Sequence, residues 1–237
     1  MKHICLIVFY SICYSLIGHK LLAQGKGANL NNNNVVGWNN IPTNLASEKI
    51  EYSDVKGTCF WKDEWLPARV FMDDGAVYQL PKAKLNFYSG GIHYINDAGV
   101  ELAARSGVKS IIFYSASGAS QVGVFKILNG LIVNFGEVYA EVLSDGKMQL
   151  LKTTVVKLVK RETDPLLKTV EWTFEPRETY FIQNGEVREL KGISKSHIFA
   201  LIDQQDGDQE WLKTQKNKLK NEQDVIAFLT YRNSLVK

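Results

Sequence analysis

The 237-residue sequence predicts an α+β protein: an antiparallel β-meander, barrel-like or sandwich-like, followed by a C-terminal pair or trio of short helices. Three observations carry this. From Val55 onward, short runs rich in Val, Ile, Tyr and Phe alternate with turns built on Gly, Asn and Asp. No long helical pattern separates these runs, so successive strands should pair antiparallel through tight turns. Past Lys191 the apolar spacing changes to the three-and-four step of a helix.

Residues 1–24 read as a secretory signal peptide. Lys2 and His3 give a basic start, Ile4 to Gly18 is apolar, and Ala23 offers a small residue for cleavage. The apolar run falls short of the ~20 residues that a bilayer-spanning helix needs. Export is therefore expected, to the periplasm, the outer envelope or the medium, with no transmembrane segment after cleavage. Cleavage removes Lys2 and Lys20, so 28 basic residues become 26 against an unchanged 25 acidic ones. That near-neutral balance argues against nucleic acid as a partner. Cys5 and Cys13 leave as well, and Cys59 alone cannot form an intramolecular disulfide.

Residues 25–50, with the run Asn31 to Asn34, read as a flexible Asn-rich linker. Residues 51–192 read as the antiparallel β-domain. Asp73-Asp74-Gly75 separates Ala68–Phe71 from Ala76–Leu80, with Gly75 suited to positive φ. Ser89-Gly90-Gly91 separates Lys84–Tyr88 from Ile92–Ile95, and Asn96-Asp97-Ala98-Gly99 leads into Val100–Leu102. Lys109–Tyr114 follows as a strand, then Gly136–Leu143 and Lys147–Lys152 around Ser144-Asp145-Gly146. Glu178–Ile182 and Glu186–Leu190 flank Gln183-Asn184-Gly185, where Asn-Gly is a strong hairpin signal. Residues 193–237 read as helices packed on the β-domain. Ser194 caps the first, Trp211, Leu212 and Leu219 mark a second, and Asn221 caps the last. Such a cover protects a sheet face or edge from pairing with other chains.

Catalytic and metal chemistry find little support. The mature chain carries only His93 and His197, neither near a second His, a Cys or a spaced acid, so no metal site and no cofactor are expected. Ser106-Gly107-Val108-Lys109 matches S-x-x-K, but the glycine and the β-run deny the two side chains a shared helix face. Ser115 to Ala119 lacks the first glycine of a nucleophile elbow and reads as a turn. Asp203 to Glu210 fails the calcium-loop spacing in both registers, so it reads as a helix connection with Asp208 as a cap. Lys213, Lys216, Lys218 and Lys220 read as a solvated helix face.

The stretch from Cys59 to Gly75 holds a thiol, Trp61, Asp63, Glu64 and Trp65. Neighbouring acids point to different sides of a strand and make a poor dyad. Cys59 reads as a half-buried hydrophobe, and the tryptophans as core or rim packing. Trp61, Asp63, Glu64 and Trp65 remain the surface candidates for binding.

"EYSDVKGTCFWKDEWLPARVFMDDG", "YQLPKAKLNFYSGGIHYIND", "VKSIIF", "YAEVLSDGKMQLLK", "KSHIFALI" and "NEQDVIAFLTYRNSL" together cover most of residues 50–235. Over these segments the chain resembles a family of secreted proteins common in Bacteroidetes-type bacteria. The resemblance implies no activity and no functional residues. The expected role is a secreted or cell-envelope binding or structural module without catalysis, its partner an envelope protein or a small ligand. The alternatives are a β-barrel carrier of a small apolar ligand, and a secreted enzyme whose acids converge only in space.

Overall fold

Alternation of buried and exposed side chains, set by the two-residue period of a strand, organises most of this chain. The computed structural model describes residues 54–104, 107–128, 138–164 and 169–235; the expected signal and Asn-rich linker lie outside them. The strands in order are β1 (Val55–Lys56), β2 (Leu66–Met72), β3 (Val77–Asn86), β4 (Gly91–Ile95), β5 (Glu101–Ala104) and β6 (Val108–Tyr114). They continue with β7 (Gln121–Leu128), β8 (Val138–Ser144), β9 (Gln149–Asp164), β10 (Thr169–Asn184) and β11 (Glu186–Leu190). Three helices follow: α1 (Lys195–Leu201), α2 (Asp208–Thr214) and α3 (Glu222–Ser234). The α+β meander with a helical C-terminus is the architecture seen.

All eleven strands form one sheet in the order β1-β10-β9-β8-β7-β6-β2-β3-β4-β5, with β11 also on β10. Every pair is antiparallel except β1 with β10, which runs parallel. The ladder stays open, but one short run spans its gap. Val55 and Lys56 pair with Trp172 and Thr173 of β10. A few residues on, Trp61 N–H donates to Leu85 O and Phe87 N–H to Cys59 O, at 2.9 and 2.8 Å. Residues 55–61 thus strap an edge of the curled sheet to the end of β3. Gly57 makes the turn at φ +81°, where a Cβ would meet Phe174 O at 3.2 Å.

Inward-facing Leu66, Ala68, Val70, Ala83, Leu85, Ile111, Phe113 and Phe125 build the core of the β2–β7 half. Trp61 fills its open side, with ring centroids 5.2 Å from Phe113 and 5.0 Å from Phe125. At the far end of β9 and β10, the two faces serve different cores. Leu150 and Ile182 pack under the helices, while Leu151 and Phe181 face the other way with Ala140 and Leu128. Both faces there are buried, which gives each side chain its full share of roughly 1.5–3 kcal/mol.

Three details differ from expectation. β7 is a strand where none is expected, because Gly123 and Lys126 interrupt its apolar residues. β9 and β10 are sixteen residues each, where Lys147–Lys152 and Glu178–Ile182 were expected. Their extension is rich in exposed charge, such as the Arg161–Glu175 ion pair, and β10 tolerates Pro176 between its pairings with β1 and β11. Leu219 lies beyond the second helix, in the loop before α3, and so do Lys216, Lys218 and Lys220. Among the described residues no helix is long and apolar enough to cross a membrane.

A Cβ on Gly123 would lie 2.4 Å from the Trp61 indole. Gly123→Ala is therefore expected to destabilise by about 1–3 kcal/mol. In a Trp61→Ala background, itself about 3–5 kcal/mol less stable, the same change should cost almost nothing. Urea unfolding of the four species checks this, and additive effects would mean that the two residues do not meet.

Candidate functional site

The four candidates of the opening segment separate. Trp61 turns into the core. Trp65 is half-buried at the rim, where Lys84 Nζ stands 4.8 Å from its ring and 5.0 Å from that of Phe60. Asp63 and Glu64 are exposed, and their described partners are local: Asp63 accepts from the Thr58 hydroxyl at 2.5 Å, and Glu64 lies 3.8 Å from Lys62. The two acids do not form a pair with each other.

Beneath the strap lies a buried polar chain with no motif in the sequence. Asn86 Oδ1 accepts the N–H groups of Tyr88 and Ser89, both at 2.9 Å. That fixes the amide, so Nδ2 donates to His93 Nε2 at 3.3 Å. The ring proton is then on Nδ1, which donates to Glu101 Oε1 at 2.7 Å. Phe60 covers the imidazole edge-on at 5.3 Å. Cys59, 1% exposed, lies beside the same Asn86 side chain. A thiol and an imidazole thus share one amide, and the imidazole in turn meets a carboxylate, an arrangement that superficially suggests nucleophilic catalysis. Burial, however, pushes the Cys59 thiol up to about 12, with Asp63 adding to the rise. A protonated, sealed thiol is a poor nucleophile. Far from being half-buried, Cys59 is part of the strap's seal.

The acids that do converge are Glu141, Glu178 and Glu222. Lys152 Nζ lies 3.5, 3.9 and 3.2 Å from them, and Tyr180 Oη donates to Glu222 at 2.9 Å and to Glu178 at 3.2 Å. Register brings them together, for Glu141 stands opposite Lys152 and Lys152 opposite Tyr180 across β8, β9 and β10. Burial raises the Glu141 carboxyl despite the lysine. Burial also works against the Lys152 charge, but Glu141, Glu222 and Glu178 outweigh it and hold the ammonium above its ordinary range. Tyr180 is raised too, by burial and by the Glu222 hydrogen bond. Each group is engaged with another of the set. Their joint effect is to latch the first turn of α3 onto the sheet.

Between α1, α2 and the loop before α3 lies an open cleft of about 590 Å³. Ile193 and Phe199 supply its apolar surface, and Lys195, Lys218 and Lys220 are the charged residues on its lining. Ser194 and Ser196 add hydroxyls 3.1 Å apart. No carboxylate lines it. Its volume lies within the usual range of small-molecule sites. The loop is held in an unusual shape. Lys216 and Leu219 take φ of +53° and +51°, a left-handed conformation that costs non-glycine residues roughly 1–2 kcal/mol each. Side chains impose it: Asn217 Oδ1 accepts from Leu219 N–H at 2.8 Å, Asn217 Nδ2 donates to Asp224 O at 2.8 Å, and Asp224 Oδ2 accepts from Lys220 N–H at 3.0 Å. Leu219 itself is fully buried and anchors the loop.

Nearby connections correct one expectation and support two. Asp208 does not cap α2, whose N-cap is Gly207 without a side-chain bond. It is buried, 2.5 Å from Arg232 of α3, and accepts from Gln205 N–H at 2.8 Å. Ser194 and Asn221 do cap α1 and α3. Ser115 to Ser120 form the β6–β7 turn, and Ser106 lies outside the described residues. His197 is exposed, its Nδ1 at 3.1 Å from Gly192 O. Among the described residues no three His, Cys, Asp or Glu side chains are grouped to hold a metal ion.

The sequence shows the basic spacing around Leu219, but it gives no sign that a loop bends those lysines toward Lys195. No family model, no curated protein and no solved structure matches the chain.

Two measurements test these assignments. Iodoacetamide at pH 8 should leave Cys59 unmodified in the folded protein and alkylate it readily in urea; fast labelling of the native form would contradict a sealed thiol. Lys152→Met strips Glu141 of the ammonium that opposes its raised carboxyl. A carboxyl held above its unfolded value contributes stability that is lost as pH rises through the folded value. The variant should therefore fall further below wild type at pH 7 than at pH 4, by about 2 kcal/mol in urea unfolding, and a pH-independent deficit would refute the latch.

Proposed function

We propose that the chain is an exported binding module, working without catalysis, whose small ligand seats in the helical cleft. The observation that carries this is the strained loop before α3. Left-handed backbone at two non-glycine residues persists only where surrounding contacts enforce it, and such strain concentrates at ligand sites. Here it fixes the wall of a ligand-sized cleft before any ligand arrives, which lowers the ordering cost of binding. The remaining convergent polar groups support the same reading, because their partners knit strap to sheet and helix to sheet. The opening tryptophans contribute to packing and rim rather than to this cleft. Residues 1–24 supply the export signal.

Thermal-shift screening of the protein against a metabolite library, followed by amide hydrogen exchange on each hit, tests the site. Ligands should slow exchange in residues 193–199 and 215–221. Hits that protect only the β2–β7 half would overturn the assignment.

A further inference from the structure

We propose that the ligand of this cleft is an organic phosphate, with its phosphoryl group at Lys195, Lys218 and Lys220 and its apolar body against Ile193 and Phe199. The inference deepens the binding-module reading and rests on it. Three lysines from two separate segments, the start of α1 and the loop before α3, are on the lining of one cleft. Among the described residues none of the three forms an ion pair; Lys195 Nζ donates to the neutral Gln209 Oε1 at 2.5 Å. Three lysines and no carboxylate on one lining make the cleft locally positive, which favours an anion there. The Asp224 carboxylate, in the first turn of α3, accepts the backbone N–H of Lys220, while the Asp224 N–H donates to the Asn221 side chain that caps the helix.

The count and type of donors favour phosphate over a carboxylate. A carboxylate carries one charge and pairs best with a planar guanidinium, whereas a phosphate monoester is close to dianionic and accepts several point-charge donors. Three lysines and two serine hydroxyls match the second. The apolar floor distinguishes an organic phosphate from the free ion, for inorganic phosphate would leave Phe199 and Ile193 uncovered. The mature chain is nearly neutral, so this attraction is local to the cleft. The same chemistry could come from a soluble phosphate monoester or from a phosphomonoester lipid headgroup.

Calorimetric titration of the full mature chain with 1-naphthyl phosphate, 1-naphthol and inorganic phosphate separates the parts. 1-Naphthyl phosphate should bind tighter than either of the others and weaken with added salt. Lys218→Gln/Lys220→Gln should weaken it about tenfold and leave 1-naphthol unchanged. The distant exposed pair Lys82→Gln/Lys109→Gln should bind as wild type. Equal losses in both double variants, or none in the first, would overturn the proposal. Tight 1-naphthol binding that protects residues 193–199, with no gain from the phosphate, would retain the binding module and eliminate its phosphate specificity. Flotation with phosphatidylcholine vesicles, with and without phosphatidic acid, identifies the source. Lysine-dependent recovery with phosphatidic acid points to a lipid, and binding of the soluble probe alone points to a free monoester. Binding of neither overturns the inference.

Discussion

The pairing of β9 with β10 is the constraint on which the rest of this structure depends. Its register runs from Gln149 opposite Gln183 to Asp164 opposite Thr169, with one irregularity near the turn. Near that turn β10 receives β1, and at the far end it receives β11, so one strand serves both halves of the molecule. Because successive side chains face opposite ways, Leu150 and Ile182 go to the helices while Leu151 and Phe181 go to the other face. A one-residue slip would exchange these sets and empty both cores at once. The long hairpin is therefore both the spine of the sheet and the floor of the helical layer.

Curling the sheet around that spine leaves an opening, and the strap from Val55 to Trp61 occupies it. Two demands meet in this run. Its backbone must turn at Gly57 close against Phe174, and its side chains must seal two neighbouring spaces, Cys59 on one side and Trp61 on the other. The buried Asn86–His93–Glu101 chain follows from this geometry. β4 is covered on both faces, so its polar side chain needs partners inside the protein. Asn86, at the strand end that the strap pairs with, provides one, and Glu101 of β5 provides the other. What looks like a catalytic grouping is thus the polar satisfaction of a strand buried on both sides.

Much of the fold was legible where turn chemistry speaks for itself. Asp73-Asp74-Gly75 and Asn184-Gly185 mark hairpins because few other residues take positive φ, and Ser194 and Asn221 mark helix starts because their side chains replace missing acceptors. The long halves of β9 and β10 were hidden because exposed lysine, arginine and glutamate occupy their solvent face, and Pro176 signals a break. The site was harder to read. Glu141, Lys152 and Tyr180 meet only through register, and Cys59 reaches Asn86 only through the strap. Leu219 looked like a helical residue since its burial is real; what escapes the sequence is that a left-handed backbone delivers it.

The helical layer owes its rigidity to contacts that are polar as well as apolar, and this bears on how a cleft between short helices can be preformed. Helices of seven residues have little stability of their own and depend on tertiary packing. Here Arg232 joins α3 to α2 through Asp208 and to the α1–α2 connection through Asp203 O. At the end of α3, Asn233 accepts from Met148 N–H at 2.9 Å and donates to Met148 O at 2.8 Å, imitating a neighbouring strand. At its start, Glu222 meets Lys152 and Tyr180. α3 is thereby pinned to the sheet at both ends, and its N-terminal Asp224 in turn holds the left-handed loop. The cleft wall is connected through that chain of bonds to β9 and β10. Loosening the latch at Lys152 should consequently soften the loop that carries Lys218 and Lys220, although neither lysine touches it.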